Sequence, residues 1–147
     1  MIKFNSYKEP DLLSDRTERA VVDFLFTHLD EYGDSRKDIQ QCMDYALRRG
    51  GKPGGLILTA SDGDDLVGAV ILNETGMKDY IPENILVYIA THQAYRGQGI
   101  GKKLMEMAIR ETSGNIALHV EPDNPAKKLY EKLGFTNKYL EMRLNKK

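Results

Sequence analysis

The chain has 147 residues, of which 41% are hydrophobic and 29% are charged, and this length and composition predict one globular domain over residues 1–147. Its formal net charge of −1 argues against nucleic acid as a partner, because such binding neutralises many phosphates, and no apolar run approaches the roughly 20 residues of a membrane span. Cys42 is the only cysteine and residues 1–7 lack the pattern of a secretory signal, so we expect a cytoplasmic protein without a disulfide, a membrane partner or a cysteine-bound metal.

The first part of the chain predicts a short strand and two helices. Ile2 and Phe4 alternate with polar neighbours, as in a strand. Apolar residues then recur at helical spacing over roughly 14–30, and a second apolar stripe begins after Ser35, a residue type that caps helices. The glycines and the proline of Arg48–Gly55 cannot continue a helix, so a loop follows.

A hairpin and a central strand come next. The apolar runs Leu56–Ala60 and Leu66–Leu72 flank the pair Asp62-Gly63, which predicts two antiparallel strands joined by a turn. After the polar connection Asn73–Glu83, the segment Ile85–Thr91 is almost wholly apolar. That composition is typical of a strand covered on both faces of a sheet.

The last third of the chain alternates strands with helices. The glycine-rich segment Arg96–Gly101 leads into a helical stripe that begins at Leu104. Ile116–Val120 predicts a strand, and a helix that Gly134 ends comes after it. Tyr139–Leu144 alternates as a final strand, and the order β-α-α-β-β-β-α-β-α-β predicts a mixed sheet with helices on its faces.

The segment Tyr95–Lys102 has the features of an anion-binding turn between a strand and a helix. The first amides of a helix have no partner within the helix, and glycines let an anion approach them closely. A Walker A loop is excluded because Lys103 stands where Ser or Thr is required, and a dinucleotide fingerprint fails at Lys102. Two interpretations remain: a turn for phosphate oxygens, to which Arg96 and Lys102 add charge, or a glycine-rich connector that starts a helix.

Two separated motifs give this turn a family context. The first is Arg-x-x-Gly-x-Gly at Arg96, Gly99 and Gly101, and the second is the helix-forming run Asp123–Phe135, which ends in Leu-Tyr-Glu-Lys-Leu-Gly-Phe. Together they resemble the GNAT acetyltransferase superfamily over about residues 84–135. The resemblance implies an α/β fold: a single GNAT-like domain with a mixed, mostly antiparallel twisted sheet flanked by about four helices. It also implies acetyl-CoA as the cofactor.

The resemblance implies a role for each matching residue. The strand before the turn would pair with pantetheine, with Ile89 and Thr91 at the family's alternating positions, and Tyr130 would protonate the departing thiolate. Asp123 stands at the family's asparagine position, so we expect Asn124 to reach the cofactor and Asp123 to cap the helix. The pyrophosphate would rest on the backbone amides of Arg96, Gly97, Gln98, Gly99, Ile100, Gly101 and Lys102.

Acetyl transfer to an amine also needs a base, because the attacking nitrogen must be neutral. Glu83 is favoured since its side chain has the same strand parity as that of Ile89. A chain of water molecules to solvent stays open, and His119 also fits an exposed structural histidine. The base candidates are Glu83, Glu74, His119 and Glu121.

The acceptor stays open at this level. Four carboxylates lie where the first two helices join and would attract a cationic amine, namely those of Asp30, Glu31, Asp34 and Asp38. Arg48, Arg49 and Lys52 would instead favour an acidic acceptor.

We expect an acetyl-CoA-dependent N-acetyltransferase that modifies a primary amine, on a small molecule or a peptide, by direct transfer in a ternary complex. The alternative is a non-catalytic acyl-CoA sensor or partner-binding module of the same fold, and a homodimer is a further expectation.

Overall fold

A computed structural model describes residues 1–8 and 13–146 of the chain. The strands are β1 (Ile2–Tyr7), β2 (Gly55–Asp62), β3 (Asp65–Glu74), β4 (Asn84–Thr91) and β5 (Ile116–Leu118). The helices are α1 (Asp15–His28), α2 (Arg36–Ala46), α3 (Ile100–Glu111) and α4 (Ala126–Lys132). Within these described ranges, every helix is too short or too polar to span a membrane.

The five strands form one sheet in the order β1-β2-β3-β4-β5. Neighbours pair antiparallel except β4 and β5, which are parallel. Helices α1 and α2 cover one side of the sheet, here the α1/α2 face, and α3 and α4 cover the other, here the α3/α4 face. The predicted fold, a mixed and mostly antiparallel sheet flanked by four helices, is confirmed.

Local sequence sets where the first helices begin. The hydroxyl of Ser14 accepts a hydrogen bond from the Thr17 amide at 3.1 Å, and the hydroxyl of Ser35 accepts one from the Asp38 amide at 3.2 Å. Each serine therefore satisfies an amide that has no partner inside its helix. The cap predicted at Ser35 is confirmed.

A β-bulge interrupts β4. Ile71 pairs with Tyr88 and Leu72 pairs with Leu86, so Val87 is an extra residue without a partner on β3. Because a strand alternates its side chains with a period of two, one extra residue reverses the faces beyond it. Leu86 accordingly packs on the α3/α4 face, whereas Tyr88 packs on the α1/α2 face.

The predicted final strand Tyr139–Leu144 was wrong. In the described part of the chain this segment belongs to no strand, and β5 ends at Leu118 instead of Val120. The side chains of Tyr139, Leu140, Met142 and Leu144 are 79–89% exposed. Alternation favours a strand only where a neighbouring edge supplies hydrogen bonds and a covered face, and this segment has neither.

A polar network links α1, α2 and the turn that follows α2. The guanidinium of Arg49 donates to Glu18 at 2.7 Å and to Asp44 at 2.5 Å, and the Gln40 amide donates to Glu18 at 2.9 Å. The Glu18 side chain is only 13% exposed. The hydrogen bond from Arg49 lowers the pKa of Glu18 below its ordinary 4.5, against the opposing effect of burial.

We expect Glu18→Gln to lower the free energy of unfolding by about 1 kcal/mol at neutral pH, because the ion pair is partly buried. A lowered folded-state pKa means that this stabilisation is complete above pH 4.5 and disappears as the pH falls through the lower folded value. Urea unfolding of both proteins at neutral pH and well below pH 4.5 measures it. Glu106→Gln, at an exposed position of α3, is the control. A difference between wild type and Glu18→Gln that does not shrink in acid would contradict the assignment.

Candidate functional site

A cavity of about 260 Å³ lies between the end of β4 and the start of α3. The predicted anion-binding turn forms most of its wall, while Tyr95 and Leu129 are wall residues to which the sequence analysis gave no role. Gln98 belongs to the turn but does not line the cavity. The lining residues are Thr91, Tyr95, Arg96, Gly97, Gly99, Ile100, Gly101, Lys102 and Leu129.

The turn leaves the start of α3 open. Gly97 and Gly99 have φ values of +83° and +80°, a left-handed conformation that glycine adopts without strain. Gly99 is the N-cap of α3, and it has no side chain to accept a hydrogen bond from the first-turn amides. These amides carry the positive end of the helix dipole, so the turn presents N–H donors to an anion in the cavity.

Gly101 lines the cavity and, because it has no side chain, leaves that part of the cavity empty. A Cβ atom built there would lie 3.6 Å from Thr91 Oγ1 and 3.7 Å from Leu129 Cδ2, both ordinary contact distances. The glycine therefore lies between the end of β4 and helix α4, where any larger side chain would take up space in the cavity.

The strands β4 and β5 separate beside this cavity. Their pairing covers only three residues on each strand and ends at Leu86 and Leu118. Beyond that pair the edge of β4 that includes Ile89 has no strand beside it within residues 1–8 and 13–146. A free strand edge offers alternating N–H and C=O groups to an extended ligand.

Tyr130 lies on the α3/α4 face and is 6% exposed. Its ring packs against Phe135 with 6.0 Å between centroids, and burial raises the pKa of its hydroxyl to about 12. Tyr130 is not among the residues that line the cavity, and its hydroxyl is a neutral proton donor at neutral pH.

Asn124, not Asp123, caps α4. Asn124 Oδ1 accepts a hydrogen bond from the Ala126 amide at 2.9 Å. The expected cap at Asp123 was wrong, because Asn124 makes this bond; the main-chain carbonyl of Asp123 accepts the Tyr32 hydroxyl at 3.4 Å. With its oxygen used in the cap, Asn124 retains its NH₂ group as a donor.

Glu83 lies outside the cavity region. Its carboxylate accepts amide hydrogen bonds from Asn115 at 2.7 Å and from Asp79 at 3.1 Å, and these bonds lower its pKa. Glu83 precedes Ile89 by six positions in the sequence, which is about 20 Å along an extended chain. The parity argument for Glu83 was wrong, because the bulge at Val87 puts its side chain on the opposite face from that of Ile89.

Arg96 connects the turn to the end of α1. Its guanidinium lies 3.5 Å from an Asp30 carboxylate oxygen and donates to the Thr91 carbonyl at 3.4 Å. Asp30 has a φ of +55°, which is uncommon for a residue other than glycine. This ion pair joins residues that are far apart in sequence, and local patterns gave no signal for it.

A group of carboxylates surrounds Tyr32 where the α1–α2 connection meets the β5–α4 loop. The pKa of Tyr32 is raised first by burial and then by the negative charges of Asp123, Glu31 and Glu121. Two loops therefore bring acidic groups close to the same tyrosine. The sequence analysis noted the acidic residues of the first loop but not their meeting with those of the second.

The family model described as "Acetyltransferase (GNAT) domain" matches residues 53–137, more than half of the chain. A mycothiol acetyltransferase from Corynebacterium glutamicum (strain R) is 35% identical over 86 residues, which cover 54% of this chain but 28% of that protein. The chain thus spans less than a third of that relative.

Solved structures share the fold. The ribosomal-protein-S18-alanine N-acetyltransferase of Escherichia coli superposes with a TM-score of 0.69 and 20% identity, covering 92% of this chain and 78% of that one. A chain of the NatC complex bound to Gag peptide and CoA superposes with a TM-score of 0.68 and 23% identity, covering 92% and 84%. At these identities the likeness shows the fold alone.

Gly101→Leu tests the cavity without disturbing the fold. The new Cβ makes ordinary contacts and leucine favours a helix over glycine, so unfolding stability is retained or rises by up to about 0.8 kcal/mol. The larger side chain fills the space between Thr91 and Leu129, and we expect acetyl-CoA binding to weaken at least a hundredfold, about 2.8 kcal/mol.

Titration calorimetry measures the affinity, and circular dichroism with thermal melting checks the fold. Glu106→Leu, on the exposed side of the same helix, is the matched control and retains wild-type affinity. Unchanged binding by Gly101→Leu would show that the ligand lies elsewhere.

Proposed function

Since the chain belongs to the GNAT acetyltransferase family, we propose that it is an acetyl-CoA-dependent N-acetyltransferase acting on a primary amine by direct transfer in a ternary complex. One observation carries this proposal. The uncapped first turn of α3 opens into a cavity that adjoins the free edge of β4. A ligand with a diphosphate at one end and an extended amide chain at the other fits that combination, and CoA has both.

The cofactor would be held mainly by backbone atoms. Its pyrophosphate would accept hydrogen bonds from amides of residues 96–102, with Lys102 adding charge at the cavity wall. Pantetheine would run along β4 past Thr91, as an added strand, with the Asn124 amide group as a further donor. The thioester oxygen would then meet the Ile89 amide, which stabilises the negative charge that develops there.

Tyr130 would protonate the sulfur of the departing thiolate. Its pKa of about 12 keeps the phenol neutral throughout the physiological range, so the proton is present when the C–S bond breaks. Burial on the α3/α4 face, which the cavity also borders through Leu129, supports this role.

The acceptor would be a small-molecule or peptide amine that reaches the thioester from the opposite side. Glu31, Glu121 and Asp123 make the surface near Tyr32 acidic, which favours an amine that arrives as a cation. Because the chain covers only 28% of the mycothiol acetyltransferase, that protein's substrate is not transferred to this one.

Two measurements test the proposal. Calorimetry with acetyl-CoA should show saturable binding. Thiol release from acetyl-CoA should then rise above the acceptor-free rate with at least one of spermidine, kanamycin, L-lysine or a short peptide with a free N-terminus and a lysine. No binding at millimolar acetyl-CoA, a concentration well above ordinary cofactor affinities, would reject the cofactor assignment. Binding without transfer to any of these amines would favour the non-catalytic sensor.

Tyr130→Phe distinguishes the proposed acid role of the hydroxyl from the structural role of the ring, because only the hydroxyl is removed. We expect kcat to fall by about a hundredfold, the low end of general-acid effects, with acetyl-CoA affinity nearly retained. Tyr139→Phe removes the same hydroxyl from a side chain that is 79% exposed and serves as the matched control. An unaltered kcat in Tyr130→Phe would make Tyr130 a core residue only.

A further inference from the structure

The side chain of His119 lies at the point where β4 and β5 separate. Leu118 forms the last pair with Leu86 and is the last residue of β5, so His119 is the first residue after that strand. Leu118 and Val120 both pack into the core of the α3/α4 face. Because side chains alternate along an extended chain, His119 between them points to the α1/α2 face, and it is exposed.

We propose that His119 is the general base that removes the proton from the acceptor amine; this inference rests on the proposed acetyl transfer. The cofactor cavity and Tyr130 lie on the α3/α4 face, while the acidic surface around Tyr32 lies where the α1–α2 connection meets the β5–α4 loop. An amine entering there meets the thioester from the side opposite to Tyr130. A base on that side and an acid on the other are what direct transfer requires.

The other candidate bases are worse positioned. Glu74 pairs with Asn84 at the same distant end of the sheet as Glu83. Asp34 shares the α1/α2 face, but its carboxylate already accepts the Tyr88 hydroxyl at 2.6 Å. Glu121 follows His119 by two residues, about 7 Å farther from the last strand pair. His119 is therefore the candidate nearest to the start of the free edge.

The proton and electron balance of the step is complete. An amine that arrives as a cation first loses one proton to solvent. The nitrogen of the neutral amine then forms a bond to the thioester carbon, and His119 takes one further proton from that nitrogen, directly or through one water. The C–S bond breaks, its electron pair goes to sulfur, and Tyr130 gives that sulfur a proton. Solvent then carries the proton from His119 to Tyr130, so the products are the acetylated amine and CoA thiol.

The test replaces the imidazole and then supplies it from solution. The substrate is whichever of spermidine, kanamycin, L-lysine or the short peptide the wild-type protein acetylates fastest. We expect His119→Ala to lower kcat by about 10²–10⁴-fold, the usual range for a lost general base, while calorimetric affinity for acetyl-CoA stays at the wild-type value.

Added imidazole should restore part of the kcat of His119→Ala. Pyrazole has nearly the same size but is a much weaker base, so it should restore none. His119→Gln fills the space without supplying a base and should be as slow with imidazole as without it. A merely structural histidine would give no such difference between imidazole and pyrazole.

The outcomes are distinguishable. A His119→Ala protein with wild-type kcat overturns the base assignment and leaves the acetyltransferase proposal intact. A slow His119→Ala protein that imidazole does not restore also overturns it. A Glu121→Gln protein that loses its kcat while His119→Ala retains wild-type kcat would move the role to Glu121. Wild-type protein that binds acetyl-CoA but transfers to no amine rejects the proposed function, and this inference with it.

Discussion

The constraint on which the site depends is that β4 pairs with β5 over three residues only. A buried or half-buried backbone N–H or C=O group needs a hydrogen-bond partner, and a strand edge supplies a row of such groups. Beyond Leu86 the edge of β4 finds no strand in the described part of the chain. Its groups must be satisfied by water or by an extended ligand, and the cavity at the end of the same strand would direct a bound ligand along the edge.

The bulge at Val87 determines which layer of helices each later side chain of β4 faces. Without the bulge, the side chains of β4 would alternate between the two faces without a break. Tyr88 would then lie with Leu86 on the face that α3 and α4 cover. With it, Tyr88 packs under α1 and α2 and reaches Asp34, while Ile89 packs on the α3/α4 face. One additional residue therefore gives both layers of helices a packed core against the same strand.

Much of the fold and part of the site follow from local sequence. Periodicity locates the four helices, and the glycines with the following apolar stripe identify the anion-binding turn, because each signal is contained in a few neighbouring residues. The failures are non-local. Tyr139–Leu144 alternates, but whether an edge receives it is decided elsewhere in the sheet. The parity assigned to Glu83 assumed an unbroken strand, and only the register with β3 reveals the bulge.

The cap of α4 failed as a prediction for a related reason. Asp123 and Asn124 are adjacent and both can cap a helix, so composition does not choose between them. The choice follows from the path of the β5–α4 loop, which turns the Asp123 carbonyl toward Tyr32 on a different element. Asn124 is left to bond the Ala126 amide. Side chains whose roles depend on contacts between distant loops are the ones that sequence patterns do not resolve.

The two faces of the sheet give the proposed acid and base opposite surroundings. A phenol that must hold its proton until sulfur departs benefits from burial, which raises the pKa of Tyr130 to about 12. A base must pass its proton to water after each transfer, which requires exposure, and His119 is exposed on the other face. Because β4 and β5 separate beyond Leu86 and Leu118, a buried acid on one side of the sheet and an exposed base on the other would both reach the same thioester under the proposed mechanism.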